Sequence, residues 1–79
     1  MEHKEKWEAA VGEAIRAERA ARKMSQAEVA RLSGIPRQTY IRYEVGERQP
    51  NVTQVAAIAM ALGMPVSQLV AEIARRASL

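Results

Sequence analysis

The sequence predicts an all-α protein, built as a compact bundle of five short helices. Three observations support this fold class: alanine is the most frequent residue with 15 copies, all nine acidic residues are Glu, and aromatic residues make up only 4% of the chain. Alanine and glutamate favour helices, whereas strands are enriched in aromatic residues. The length of 79 residues fits one domain covering residues 1–79.

The first helix is predicted from apolar residues that recur at helical intervals from Trp7 to about residue 23, through Val11 and Ile15. Residues 1–8 are mostly charged, and two interpretations stay open for them: a frayed tail, or the first turns of this helix. Trp7 also has two interpretations, a packing residue or a contact in a dimer.

The second helix has the clearest boundaries in the sequence. Ser25 is placed to cap its start, and Glu28 three residues later would complete a capping box. Gly34 is available as a left-handed cap at its end. Pro36 then suits the first turn of a third helix over about 37–45.

Two more helices follow the loop after Gly46. Asn51 is the predicted N-cap of the fourth helix, which Gly63 closes, and Pro65 starts the last one. The predicted apolar stripe of this last helix consists of Val66, Leu69, Val70, Ile73 and Ala77.

The third helix has two chemically different faces, since successive residues are about 100° apart. One arc carries Arg37, Gln38, Ile41, Arg42 and Val45, and the opposite side carries Thr39, Tyr40, Tyr43 and Glu44. Arg can donate two hydrogen bonds to guanine, Gln can do so to adenine, and Ile41 could contact a thymine methyl group. The alternative is an ordinary helix with a solvated polar face.

The composition excludes most kinds of catalytic and metal site. The chain has no Cys and no Asp, and its one histidine is His3, so neither a His/Cys metal cluster nor a Ser–His–Asp arrangement can be assembled. The four glycines are scattered, so no glycine-rich phosphate loop is present. We therefore predict a protein that is not an enzyme and uses no metal, no cofactor and no small-molecule ligand.

Charge and hydropathy narrow the functional classes to which the protein can belong. A net charge of +3 and a pI near 9.8 permit binding to nucleic acid without demonstrating it. No apolar run approaches the roughly 18 residues of a membrane span, which predicts no membrane association. The lack of cysteine fits a reducing cytoplasm, where we expect the protein to act.

Two short helices joined by a glycine-containing turn form a helix-turn-helix arrangement. The chain from about Gly12 to Val70 resembles the Cro and cI-type repressor family, the lambda-repressor-like or XRE-type helix-turn-helix domains. The matching residues are Ile15-Arg16, Arg19, Ser25-Gln26-Ala27-Glu28-Val29-Ala30, Gly34-Ile35, Tyr40, Tyr43-Glu44, Gly46, Pro50-Asn51, Leu62-Gly63 and Leu69. Pro36 and Pro65 depart from the family, which often has a Ser or Thr cap at those positions.

The resemblance implies roles for individual residues. The third helix would present Arg37, Gln38 and Arg42 to base edges, with Thr39 as a lesser contact. The implied phosphate contacts are Gln26, Arg48, Gln49 and, more weakly, Arg31. Arg19 and Glu44 would form a partly buried structural ion pair between the first and third helices.

The resemblance also implies partners. These are double-stranded DNA, with a pseudo-palindromic operator, and a second copy of the chain at least on DNA. The predicted dimer surface is Val66, Val70, Ile73 and Ala77, together with Leu79. Two alternatives stay open, that these residues simply cover the core and that the protein binds its operator as a monomer.

The sequence thus predicts a sequence-specific DNA-binding transcriptional regulator, specifically a small Cro-like repressor of phage or bacterial origin. The alternative is an antitoxin of a toxin–antitoxin pair, or a protein-interaction adaptor on the same fold.

Overall fold

A computed structural model describes residues 2–78 of the chain, and five α-helices contain most of them. The helices are α1 (Glu2–Ala21), α2 (Gln26–Ser33), α3 (Arg37–Val45), α4 (Val52–Leu62) and α5 (Val66–Ala77). No strand occurs in this described part of the chain. The predicted all-α fold of five helices is confirmed.

The charged N-terminal segment forms the first turns of α1 rather than a frayed tail, since the helix starts at Glu2. Trp7 is half-buried and packs against the core. The helix ends at Ala21, two residues earlier than predicted. Lys23 adopts a left-handed backbone with φ of 56°, which is incompatible with continuing the helix.

The caps follow the sequence with one difference, which concerns the capping box. The Ser25 hydroxyl accepts a hydrogen bond from the Glu28 backbone N–H at 3.0 Å, and Gly34 closes α2 with φ of 72°. The full reciprocal capping box occurs instead at α4, where Asn51 and Gln54 bond each other's backbone N–H at 2.8 and 2.9 Å. The N-cap positions of α3 and α5 are prolines, and neither forms a side-chain cap bond.

The core lies where all five helices meet. α1 packs against α5 and α3, while α2 packs against α4 and α3. The largest fully buried side chains are Tyr40, Ile15, Ile58, Leu69, Ile73 and Val29. Burying each aliphatic one stabilises the fold by about 1.5–3 kcal/mol relative to leaving it exposed.

Gly12 permits an unusually close approach of α1 to the last turn of α3. A Cβ atom at this position would lie 2.6 Å from the Glu44 carbonyl oxygen and 2.7 Å from that of Tyr43. Real Cβ atoms essentially never show contacts below 3.0 Å, so only glycine fits without a shift of one helix. The position of α3 against α1 therefore depends on this glycine.

The predicted dimer surface needs correction. Ile73 and Ala77 are 1% and 4% exposed because they face α1 across the main helix–helix contact, and they belong to the core. Val66 and Val70 are 36% and 39% exposed and remain accessible. Leu79 lies outside the described residues.

Within residues 2–78, no single helix is long and apolar enough to cross a bilayer. Only α4 and α5 taken together pass that test, and they bend by 106° at the break between them.

Candidate nucleic-acid interface

A tight turn connects α2 to α3. The N–H groups of Gly34 and Ile35 bond the carbonyl oxygens of Arg31 and Ala30 at 3.3 and 3.1 Å, which closes α2. Pro36 follows with an extended ψ of 138°, and α3 begins at the next residue. This geometry is the helix-turn-helix arrangement that the spacing predicts.

The outward side of α3, which we call the reading face, consists of Arg37, Gln38 and Arg42. All three side chains are exposed, and neither arginine forms an ion pair with any residue between positions 2 and 78. Thr39, the fourth predicted base contact, is half-buried. The predicted base-contacting residues thus lie together on one helix, and three of them are exposed.

The inward side of α3 is held by a polar network centred on Glu44. The Arg19 guanidinium donates from Nε and Nη2 to the two carboxylate oxygens of Glu44, at 2.6 and 3.2 Å. Gln26 Nε2 donates to the same carboxylate at 3.0 Å, and the Tyr40 hydroxyl donates to it as well. A third bond from Arg19, to the Met24 carbonyl at 2.8 Å, ties in the loop between α1 and α2. The network joins α1, α2 and α3.

Burial and pairing determine the ionisation of this network. Burial alone would raise the pKa of Glu44, but hydrogen bonds from Arg19, Tyr40 and Gln26 outweigh it, and the pKa lies below its usual value. Burial, followed by the bond to the Glu44 carboxylate, raises the pKa of Tyr40 far above its usual range. The bond to Glu44 also raises the pKa of Arg19. Glu44 is therefore a paired carboxylate at neutral pH, with a structural role.

The four predicted phosphate contacts fall into two groups. Arg31 on α2 and Arg48 in the loop after α3 are exposed, and neither forms an ion pair within the described residues. The side-chain amides of the other two already form hydrogen bonds within the protein, because Gln26 donates to Glu44 and Gln49 Nε2 donates to the Glu8 carbonyl at 3.3 Å. Any phosphate bound near Gln26 would meet the backbone N–H groups at the start of α2 or the second amide hydrogen.

Two parts of this arrangement were not predicted from the sequence. The resemblance suggested Arg19 and Glu44 as a pair, but the Gln26 amide and the Tyr40 hydroxyl also bond the same carboxylate. The spacing of Tyr40 and Glu44, four residues apart on one helix, is a signal that could have suggested their contact. Gly12 carries no such signal, because a close approach of two helices is visible only in three dimensions.

Comparisons with known proteins agree with the geometry. Residues 15–69 match the protein-family model described as helix-turn-helix. The cryptic phage CTXphi transcriptional repressor RstR of Vibrio cholerae is 36% identical over 58 residues, which cover 73% of this chain and 52% of that protein. The chain thus spans about half the length of this curated relative.

A solved structure extends the similarity to the whole fold. The crystal structure of the clp gene regulator ClgR from C. glutamicum matches with a TM-score of 0.81 and 26% sequence identity, covering 87% of this chain and 90% of that one. The resemblance to Cro and cI-type repressors is confirmed, and the chain belongs to the helix-turn-helix family.

Proposed function

We propose that this protein is a sequence-specific DNA-binding transcriptional regulator, and specifically a small repressor of phage or bacterial type that reads the major groove with α3. The observation that carries the proposal is the reading face, where Arg37, Gln38 and Arg42 are exposed on a helix whose other side is buried. The family match and the repressor among the relatives support it.

The chemistry of the reading face suits base recognition. Arg37 and Arg42 each offer a planar fork of donors for guanine O6 and N7, and the Gln38 amide can bond adenine N6 and N7. Thr39, being half-buried, contributes a lesser contact at the edge of this face. Each well-formed pair discriminates its base by about 1–3 kcal/mol.

Phosphate contacts would orient α3 in the groove without reading sequence. Arg48 follows α3 and Arg31 lies on α2, so their exposed guanidinium groups flank the reading face along the chain. The N-terminus of α2 adds backbone N–H groups that favour an anion. Affinity for any DNA would then fall steeply with added salt.

The operator and the cellular setting complete the proposal. We expect a pseudo-palindromic operator bound by two copies of the chain, with half-sites about 10 bp apart. The protein would act in the cytoplasm of a bacterial cell, where phage and chromosomal operators lie. It would act by occupying DNA rather than by catalysis, with no cofactor.

The proposal can be tested by selecting duplexes from a random pool with the purified chain. We expect one enriched motif, and we expect Arg37→Ala to lose preference at one base position while keeping the rest of that motif. The matched control is Arg75→Ala, which removes the same charge from a side chain on α5 that is 68% exposed.

Two results would contradict the proposal. One is a pool that shows no enriched sequence and no salt-dependent affinity, which would favour a protein-interaction adaptor. The other is an unchanged motif for the Arg37 variant, which would show that α3 is not the reading helix.

A further inference from the structure

Val45, the last residue of α3, places an apolar side chain at the surface of the protein. It is 64% exposed and belongs neither to the core nor to the network around Glu44. Around the helix axis, Val45 lies about 80° from Arg37, and Arg42 lies about 140° from it. Ile41, which is half-buried, precedes Val45 by one turn and lies beside it. Two apolar side chains therefore occupy the middle of the arc that carries the reading face.

The surroundings of Val45 disfavour contact with the DNA backbone. On one flank, Val45 borders a groove that is also lined by Glu5, Glu8 and Glu13. Carboxylates repel a phosphate, and a valine side chain has no donor with which to bind one. When α3 docks with its reading face toward DNA, Val45 is therefore suited to a base edge rather than to a phosphate.

The base edges in the major groove offer one apolar group among their hydrogen-bond donors and acceptors, the 5-methyl group of thymine. A valine in a helix is largely restricted to one rotamer, so its two methyl groups keep a fixed position. Packing a base methyl group against them removes apolar surface from water on both sides of the contact. The 5-methyl group is thus the group in the groove whose chemistry matches Val45.

We propose that Val45 reads the 5-methyl group of a pyrimidine, with Ile41 extending the same apolar surface. The inference rests on the proposed function, because it requires α3 to lie in the major groove. It adds a specificity-determining residue to Arg37, Gln38 and Arg42. 5-Methylcytosine carries the same group at the same ring position as thymine, so Val45 favours both bases over unmethylated cytosine. Methylation of a cytosine at this operator position therefore strengthens binding.

Replacing thymine by uracil in the selected operator tests the contact, because it removes the methyl group and keeps every hydrogen-bonding group of the base. Each thymine of a half-site is replaced in turn, and the affinity of the purified chain is measured by competition. We expect at least one position where the replacement weakens binding about fourfold, the effect of burying one methyl group. A motif in which no thymine depends on its methyl group overturns the proposal.

A double-mutant cycle assigns the effect to Val45. Val45→Ala removes both methyl groups from an exposed side chain and keeps a good helix former, so the fold is retained. This variant should bind the thymine and uracil duplexes with equal affinity at the methyl-sensitive position. A difference that persists in Val45→Ala overturns the proposal, because the methyl group would then act through DNA shape or through another residue.

Met60→Ala is the matched control for this variant. Met60 is also an exposed apolar side chain, 75% accessible, but it lies on α4. Its truncation should leave the preference for thymine over uracil at about fourfold, as in wild type. Loss of the preference in Met60→Ala as well would show that the effect is not specific to Val45, and would contradict the proposal.

Cytosine methylation extends the test to the second base. A G·C pair at the methyl-sensitive position should bind more weakly than A·T, and 5-methylcytosine in that pair should improve binding about fourfold over cytosine. Val45→Ala should bind the methylated and unmethylated duplexes equally. A wild-type protein that gains nothing from the methylated cytosine overturns the reading of the methyl group.

Failure of this inference and failure of the proposed function give different results. A chain that enriches no duplex from the random pool contradicts the proposed function and this inference with it. An enriched motif whose affinity is independent of every 5-methyl group overturns this inference alone. Sequence recognition by Arg37, Gln38 and Arg42 would then stand without Val45.

Discussion

The two sides of α3 use charged and polar residues in opposite ways. On the inward side, Glu44 is 7% exposed and is bonded by side chains from α1, α2 and α3 itself. On the outward side, Arg37 and Arg42 are exposed and form no ion pair within the described residues. The nine residues of α3 thus include one charged side chain with a structural role, Glu44, and two that are available to a partner, Arg37 and Arg42.

The difference shows that burial, rather than residue type, decides what a charge does here. A buried carboxylate must be compensated, so Glu44 is committed to its partners. The N–H donors of an exposed guanidinium are hydrogen-bonded to water, and a base or a phosphate can replace that water. Substitutions on the inward side should therefore alter stability, and those on the outward side should alter DNA recognition.

The largest expected effect is on the inward side. Arg19→Ala should lower the free energy of unfolding by about 3–5 kcal/mol, because it leaves the Glu44 carboxylate buried with its ion-pair partner removed. Urea denaturation measures the change. Arg22→Ala is the control, since its pair with Glu18 is partly solvated and should contribute no more than about 1 kcal/mol. An unchanged stability of the Arg19 variant would refute the structural role of the network.

Gly12→Ala tests the packing of the same side. Helix propensity alone predicts stabilisation by about 1 kcal/mol, whereas overpacking against the α3 carbonyl oxygens predicts destabilisation by about 1–3 kcal/mol. We expect the second, because the obstacle is backbone 2.6 Å away and cannot rotate aside. Thermal unfolding of the variant shows whether its stability rises or falls. The reverse substitution Ala20→Gly, at an exposed site on α1, gives the effect of propensity by itself.

Arg42→Ala tests the outward side. We expect a loss of about 1–3 kcal/mol of discrimination at one base position, with the free energy of unfolding changed by less than about 0.5 kcal/mol. Competition binding with single-base variants of the selected operator measures the first quantity, and urea denaturation the second. A variant that loses stability but keeps its base preference would reverse the assignment of the two sides.

The smallest effect expected is the dependence of stability on acid pH. The pKa of Glu44 in the folded protein lies below the value of 4.5 for the free side chain. The ionised Glu44 therefore stabilises the fold fully above pH 4.5, and this contribution is lost as the pH falls through the lower, folded-state pKa. Wild type and Glu44→Gln should converge in stability over that acidic range. A constant difference at every pH would mean that ionisation of Glu44 contributes nothing.

Much of the fold follows from local sequence. The alanine-rich composition and the spacing of apolar residues are enough for five helices, and Ser25, Gly34, Asn51 and Gly63 mark their ends because caps act within a few residues. The reading face also follows from the sequence, since helical periodicity alone separates Arg37 and Arg42 from Tyr40. These features depend on residues close together in the chain.

The amino-acid sequence is thus enough to predict the five helices, most of their caps, the two faces of α3 and the family of the chain. Which apolar residues are covered depends on the packing of the helices, which buries Ile73 and Ala77 in the core and leaves Val52, Val66 and Val70 at the surface. It alone also brought Gln26 to Glu44 and Gly12 against the end of α3. The physical reason is that burial and close approach depend on how whole helices cross, and residues distant in sequence determine those crossings.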